Sequence, residues 1–351
     1  MMKKKSWKKI LLFLVFIALN IAVIVVTAVS EFGNSTNAAE LTEVKIDWWM
    51  LIPAVLCFAV ATIINVAKYI IMMGSFYDAE SRPPKKLIWK VAWRVVMLGK
   101  YYDNVTPAAI GGQPFQIYFM RKNSSLSHGH SSSIPIVAMI AGQIGFLILA
   151  VICFALGGVF RENPTLLLTA CLGLLFYAFW PLMVLGINVM PKQTTRFLQF
   201  IVKILAKIRI VKKREEALRK VEDELAEYNK SVKTIIKSRG LFLTMIVLAT
   251  LFQFFTMSIP YFVLKAFGGD MDFFRCLATT VAVTSAVYFV PTPGNSVAAE
   301  GTFFAVFSSL STGYIFWAML VWRFLSYYIY ILTGPLIYLR MKIEKRHKNK
   351  V

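Results

Sequence analysis

Apolar runs of more than twenty residues fill most of this chain, and two of them are interrupted by Pro and Gly. The first interruption reads TPAAIGGQP, Thr106 to Pro114, and the second PTPGNSVAAE, Pro291 to Glu300. A backbone broken at membrane depth leaves N–H and C=O groups without helical partners. Lipid cannot satisfy them, so such breaks persist only inside protein or along a watery cavity. A pair of breaks, one in each half, is the sequence pattern of a transporter-type binding site. The composition agrees with a membrane setting: 58% of residues are hydrophobic and the mean hydropathy is +0.63.

The formal net charge is +21. In a soluble protein that excess suggests nucleic acid, but here its placement decides. The 39 Lys and Arg concentrate before the first span, between Arg82 and Lys100, at Arg121 and Lys122, between Lys192 and Arg239, and in the tail from Arg340. Putting these segments on one side of the bilayer satisfies the positive-inside rule. Attraction to anionic inner-leaflet lipid accounts for the rest, so no nucleic acid is expected unless the chain is a transferase. The four Cys (Cys57, Cys153, Cys171, Cys276) sit in apolar segments with neither zinc nor redox spacing.

The predicted fold is an all-α polytopic membrane protein of six full spans plus two re-entrant broken helical hairpins. Span 1, Ile10 to Val29, reads as an uncleaved signal anchor. The acidic loop to Asp47 lies outside, and Trp48 and Trp49 mark the interface at which span 2 starts. Span 2 runs to about Met73, with Lys68 near its inner end and placed to snorkel. Val91 to Met120 has basic residues on both flanks, which favours a hairpin entering and leaving on the cytoplasmic side, its apex at the GGQP sequence. A Ser-rich loop from Asn123 to Ser133 follows, with His128 and His130 solvated in it; no metal site is expected there, since a site needs three or four ligands. Spans 3 and 4 cover Ile134 to Phe160 and Thr165 to Met190.

Residues 191–240 form a polar linker. Leu218, Val221, Leu225, Tyr228, Val232 and Ile235 recur there at helical spacing. This amphipathic helix either lies on the membrane or packs on the bundle. Span 5, Leu241 to Phe267, ends at a Gly268-Gly269-Asp270 turn. Phe273 to Leu310 is the second broken element, hung from the outer face, and span 6 is Tyr314 to Leu339. The chain thus divides into a first membrane half (1–190), the linker (191–240), the remaining membrane core (241–340) and a basic tail (341–351). The order span, span, hairpin, span occurs twice with opposite starting sides, which is an inverted repeat. Both termini are expected in the cytoplasm, beneath a bacterial-type plasma membrane.

Ionisable residues inside membrane segments are costly and default to functional candidates. Asp103 precedes the first break, Glu300 follows the second, and Arg323 lies in mid-span 6. Glu300 and Arg323 form either a pair that docks helix 6 or a site in which Arg323 meets a lipid phosphate and Glu300 orients it or answers a cationic headgroup. Gly111, Gly112 and Gly294 permit close backbone approach. Asn104, Gln113 and Asn295 add neutral hydrogen-bonding groups, giving a candidate substrate-binding set with no catalytic, metal or cofactor residues. No HExxH, nucleophile elbow or phosphate-binding loop occurs in the sequence.

The NVTPAAIGGQP and PTPGNSVAAEGTF stretches, with the basic N-terminus, resemble the flippase-like membrane domain of lysylphosphatidylglycerol synthases. The second motif of that family more often reads PGG, then G, then Glu. Asn295 and Ser296 replace part of that glycine run, and Glu300 keeps the acidic position. The resemblance implies a protein that moves phosphatidylglycerol or its aminoacylated form between leaflets, with an anionic phospholipid as ligand and a role in resistance to cationic peptides. In full synthases a separate domain transfers lysine from lysyl-tRNA. That domain is expected to be missing here, so transfer would need a partner synthase domain. The alternatives are a phosphatidylglycerol lysyltransferase and a non-transporting membrane scaffold.

Overall fold

A computed structural model describes residues 45–78, 80, 82–106, 111–156, 164–189, 193, 196, 199–200, 214–288, 296–310 and 314–348. Span 1, Pro107, Pro291–Pro293, Gly294 and Asn295 lie outside them. The described elements are all helical: α1 (Trp48–Gly74), α2 (Lys85–Val105), α3 (Gly112–Asn123), α4 (His128–Leu156), α5 (Pro164–Val189), α6 (Arg214–Lys237), α7 (Arg239–Ala266), α8 (Phe273–Val287), α9 (Ser296–Leu310), α10 (Ile315–Arg323) and α11 (Ile329–Lys348). A π-helical turn, Phe324–Tyr328, joins α10 to α11 without a break. Among the described residues, four helical runs are long and apolar enough to cross a membrane: α1, α4, α7 and the continuous stretch Ile315–Glu344.

The antiparallel pair α1 and α7 forms the spine. Asp47 caps α1 by accepting the Trp49 N–H (3.0 Å). Its own N–H reaches Ala266 O (2.9 Å), which places the start of α1 beside the end of α7. The α7 helix stops at Gly268, whose φ of 83° suits glycine and lets the Gly269 N–H return to Leu264 O (2.8 Å). Tyr314 N–H reaches Phe267 O (3.0 Å), so α10 starts from the same end. Buried residues of α1 recur three or four apart (Ala54, Cys57, Ala61, and again Thr62, Val66, Tyr69, Met72), while Trp48, Trp49, Ile52, Leu56 and Ile63 remain exposed.

The two broken helix pairs pack at opposite ends of this spine. Val95, Leu98, Phe119 and Met120, from α2 and α3, share a core with Met72 and Met73 of α1 and with Met245 and Ala249 of α7. Val287, Ala299, Phe303 and Phe307, from α8 and α9, share another with Ala54 and Cys57 of α1 and with Ile259 and Val263 of α7. The α11 helix returns along α2. Arg94 donates twice to Glu344 (2.9 and 2.8 Å), Tyr102 Oη lies 2.7 Å from Tyr338 Oη, and Asn104 reaches Tyr327.

Bare-backbone contacts hold the helices close. A methyl added at Gly145 would meet the α7 backbone at Thr250 N (2.7 Å), and one at Gly173 would collide with the Ser285 carbonyl of α8. Small residues bring helices together this way where lipid supplies no hydrophobic drive.

Three expectations need correction. The Ser-rich segment is not a loop throughout: α4 begins at His128. Ser127 Oγ accepts the His130 N–H (3.2 Å), and Ser132 Oγ donates back to His128 O (2.7 Å). Ser131, Ser132 and Ser133 are buried, with Arg121 donating to Ser132 Oγ (2.9 Å). Hydroxyls that return their hydrogen bond to the helix allow a polar stretch to continue an apolar span. His130 stacks on Phe76 at 4.0 Å rather than standing in solvent. Secondly, Lys68 does not snorkel; it is 3% exposed in the core. Thirdly, Gly112, Gln113 and Pro114 are the first turn of α3 rather than the apex of the gap. Pro is tolerated there because first-turn N–H groups have no intrahelical partner. The amphipathic α6 packs on the bundle, against α4 and α7, with Val232 and Ile235 fully buried.

Candidate functional site

The first break is closed by its own flanking residues. Thr106 Oγ1 donates to Tyr102 O (2.7 Å) and accepts the Gly111 N–H (2.9 Å). Asp103 Oδ1 accepts the Gly112 N–H (2.8 Å). The end of α2 thus caps the start of α3, and a carboxylate suits the positive end of a helix. Both glycines are required by contact. A methyl on Gly112 would run into the Asp103 carboxylate, and one on Gly111 would come within 3.0 Å of Tyr102 O. Gln113 is half-buried in this first turn. One turn later, Gln116 ties α3 to its surroundings by accepting from Tyr69 Oη (3.0 Å) and donating to Val95 O (3.4 Å).

Asn104 points away from this cap, toward the π turn. Its amide donates to Tyr327 O (3.1 Å), and the Tyr327 hydroxyl donates to Asn104 O (3.2 Å). Beyond the second break, Glu300 lies buried against the same turn. Arg323 Nε donates to Glu300 Oε1 (3.0 Å) with side-chain exposures of 7% and 1%, and Tyr328 Oη reaches the same oxygen (3.4 Å). The guanidinium carbon of Arg323 stands 4.5 Å from the Tyr327 ring centroid and 5.3 Å from that of Trp322, which itself stacks on Phe303. Adjacent residues of one five-residue turn therefore hold the flanks of both breaks. On the other flank of the second break, Tyr288 ends α8, its N–H reaching Ser285 O (3.3 Å).

Glu300 Oε2, Arg323 Nη2 and Ser326 Oγ are buried without a hydrogen-bond partner among the described residues. Buried polar atoms are almost always paired, so an ion pair with an unpartnered atom on each side, and a third such atom on the adjoining π turn, call for an explanation. Together they offer one strong acceptor, one charged donor and a hydroxyl that does either. The recess nearest α4, α7 and α8 has a different character. It holds about 200 Å³, and its wall of Leu149, Cys153, Phe254 and Leu277 is apolar.

The structure brings Asp103, Asn104, Gly111, Gly112, Glu300 and Arg323 to the two breaks and the π turn between them. Gly294 and Asn295 fall outside the described residues. Ser326, Tyr327, Tyr328 and Tyr288 were missed because Ser and Tyr inside an apolar run carry no signal of their own. The π turn was missed because it is a hydrogen-bonding register, invisible to hydropathy; such turns recur at functional sites.

An all-helical membrane protein with broken helices flanking a buried ion pair is the class defined by this fold. Residues 10–334 match the family model of the lysylphosphatidylglycerol synthase TM region, and the chain belongs to that family. Neither a curated protein nor a solved structure gives a significant match. Membership links the chain to lysylphosphatidylglycerol and lipid handling in a membrane.

Proposed function

We propose that this protein is a lipid translocase that carries the headgroup of phosphatidylglycerol or aminoacylated phosphatidylglycerol past the bilayer midplane. The observation that carries the reading is the convergence on the π turn: Asn104 pairs with Tyr327 while Glu300 pairs with Arg323 and Tyr328. In this reading α2–α3 and α8–α9 are re-entrant hairpins from opposite faces. They complete six full spans and an inverted repeat, with 191–240 as a cytoplasmic linker and the termini in the cytoplasm of a bacterial-type plasma membrane. The packing of the two pairs at opposite ends of the α1–α7 spine supports that arrangement. Asp103, Asn104, Gly111, Gly112, Gln113, Gly294, Asn295, Glu300 and Arg323 line the route. Arg323 and Ser326 offer donors to the headgroup, and Glu300 answers an ammonium on its aminoacyl form. Rocking of one hairpin and its neighbours against the other exposes the site to each leaflet in turn.

Purified protein in proteoliposomes, supplied with labelled phosphatidylglycerol and lysylphosphatidylglycerol, tests this. Wild type moves label between leaflets, while Glu300→Gln and Arg323→Ala insert normally and lose headgroup-dependent movement. Normal movement by both variants refutes the site. The family's name also favours a second reading, lysyl-tRNA-dependent lipid lysylation with a partner synthase domain. Lysyl-tRNA-dependent labelling of lipid by the pure chain would establish transfer without that partner; no movement and no labelling would leave the scaffold role.

A further inference from the structure

Lys68, in α1, is 3% exposed, and its ammonium sits 5.0 Å from the centroid of the Phe252 ring of α7. Lys100, half-buried in α2, brings a second ammonium to 6.0 Å from the same centroid. The two like charges act on each other. Among the described residues, neither of these two lysines has an ion pair. The carboxylate that acts on Lys100 is Asp103. That carboxylate is already bound to the Gly112 N–H.

A ring face attracts a cation. That attraction falls short of the cost of taking an ammonium out of water, and here two ammoniums share one ring. Charges kept inside a membrane protein mark a substrate or ion pathway. The first N–H groups of α3 do not serve as an anion site, since Thr106 and Asp103 occupy them. The charged residues of this lysine pair, of the neighbouring cap and of the π-turn pair, Lys68, Lys100, Asp103, Arg323 and Glu300, sum to one positive charge in excess. A phosphodiester carries one negative charge.

We propose that Lys68, Lys100 and Phe252 form an oxyanion site that takes a phosphate-class group. The inference rests on the lipid-handling reading for its ligand: the phosphate docks between the lysines while the rest of the headgroup extends toward Glu300 and Arg323. The work of recognition is then divided, with the lysines holding the charge common to all anionic phospholipids and the π-turn pair reading what is attached to it.

The test is thermal unfolding of the full chain in detergent with three probes: inorganic phosphate, dihexanoyl phosphatidylglycerol, and dihexanoylglycerol, which has the chains without the phosphate. The phosphatidylglycerol raises the melting temperature of wild type and dihexanoylglycerol does not. Lys68→Met melts higher than wild type without ligand, because an apolar side chain replaces a buried charge. It binds phosphatidylglycerol about tenfold more weakly, as expected for losing one charged partner. Lys68→Arg keeps the response, and Lys100→Met weakens it. A response to inorganic phosphate as well identifies an oxyanion site indifferent to source; a response confined to phosphatidylglycerol identifies the lipid as the source. If Lys68→Met and Lys100→Met keep the full response while Glu300→Gln loses it, the lysine site is refuted and the lipid reading stands. If wild type responds to neither phosphate probe, both are refuted.

Discussion

At the scale of single residues, the Glu300–Arg323 pair holds the largest electrostatic stake. Its two side chains are nearly unexposed, and each keeps one polar atom without a described partner. Arg323→Met alone strands a buried carboxylate and should lower the unfolding free energy in detergent by about 3–5 kcal/mol. Adding Glu300→Gln should restore most of that loss, because the uncompensated charge goes with it. A double variant no more stable than Arg323→Met would show that the pair is not coupled as described. Asp103 predicts a graded effect. Asp103→Ala removes the acceptor of the Gly112 N–H and should cost about 1.5–3 kcal/mol, whereas Asp103→Asn keeps an acceptor and should cost less. Equal losses on denaturant titration would contradict the capping role. Charged residues such as these were legible in the sequence, because an acid or an arginine within an apolar run has few bland explanations. Lys68 was legible as unusual and misplaced nonetheless. Its distance from the helix end suggested escape to water, and only the packing of Phe252 from α7 shows that the route is closed.

At the scale of elements, the breaks were legible and their chemistry was only partly so. Pro107 and Pro114 located the first interruption, but the capping of α3 by Asp103 and Thr106 depends on how α2 and α3 fold back on each other. The Ser-rich start of α4 was misread because side-chain hydroxyls make serine look like loop, while three of them buried against α3 and α1 are helical. The π turn left no trace in hydropathy. It adds one residue to the helix between Arg323 and Tyr327, so the Arg323 and Tyr327 side chains stack while their other contacts go to opposite breaks. Deleting Ser326 should return Phe324–Tyr328 to α-helical register. The circular-dichroism helix content should stay the same, and lipid movement in proteoliposomes should be lost. Retained movement would show that the turn does not organise the site.

At the scale of the whole molecule, a spine of antiparallel helices carries a broken pair at each end, and the pairs reach inward to one turn. Hydropathy was enough to anticipate an all-helical chain with membrane-spanning helices, because it is set by the membrane rather than by fine packing. The contacts that tie α2 to the π turn come from residues 223 apart in sequence, and no local pattern encodes them. The clamp of Glu344 by Arg94 and Lys90 at the far end of α11 is of this kind. The central claim is that the π turn belongs to a polar site that water and headgroups reach, though lipid-depth helices surround it. Thiol labelling tests it directly, using a charged methanethiosulfonate on membrane-embedded protein whose native Cys57, Cys153, Cys171 and Cys276 have been replaced. A cysteine at Ser326 should react, and phosphatidylglycerol should slow it, while a cysteine at the exposed, lipid-facing position Leu332 stays inert. A Ser326→Cys protein as unreactive as Leu332→Cys would contradict the account.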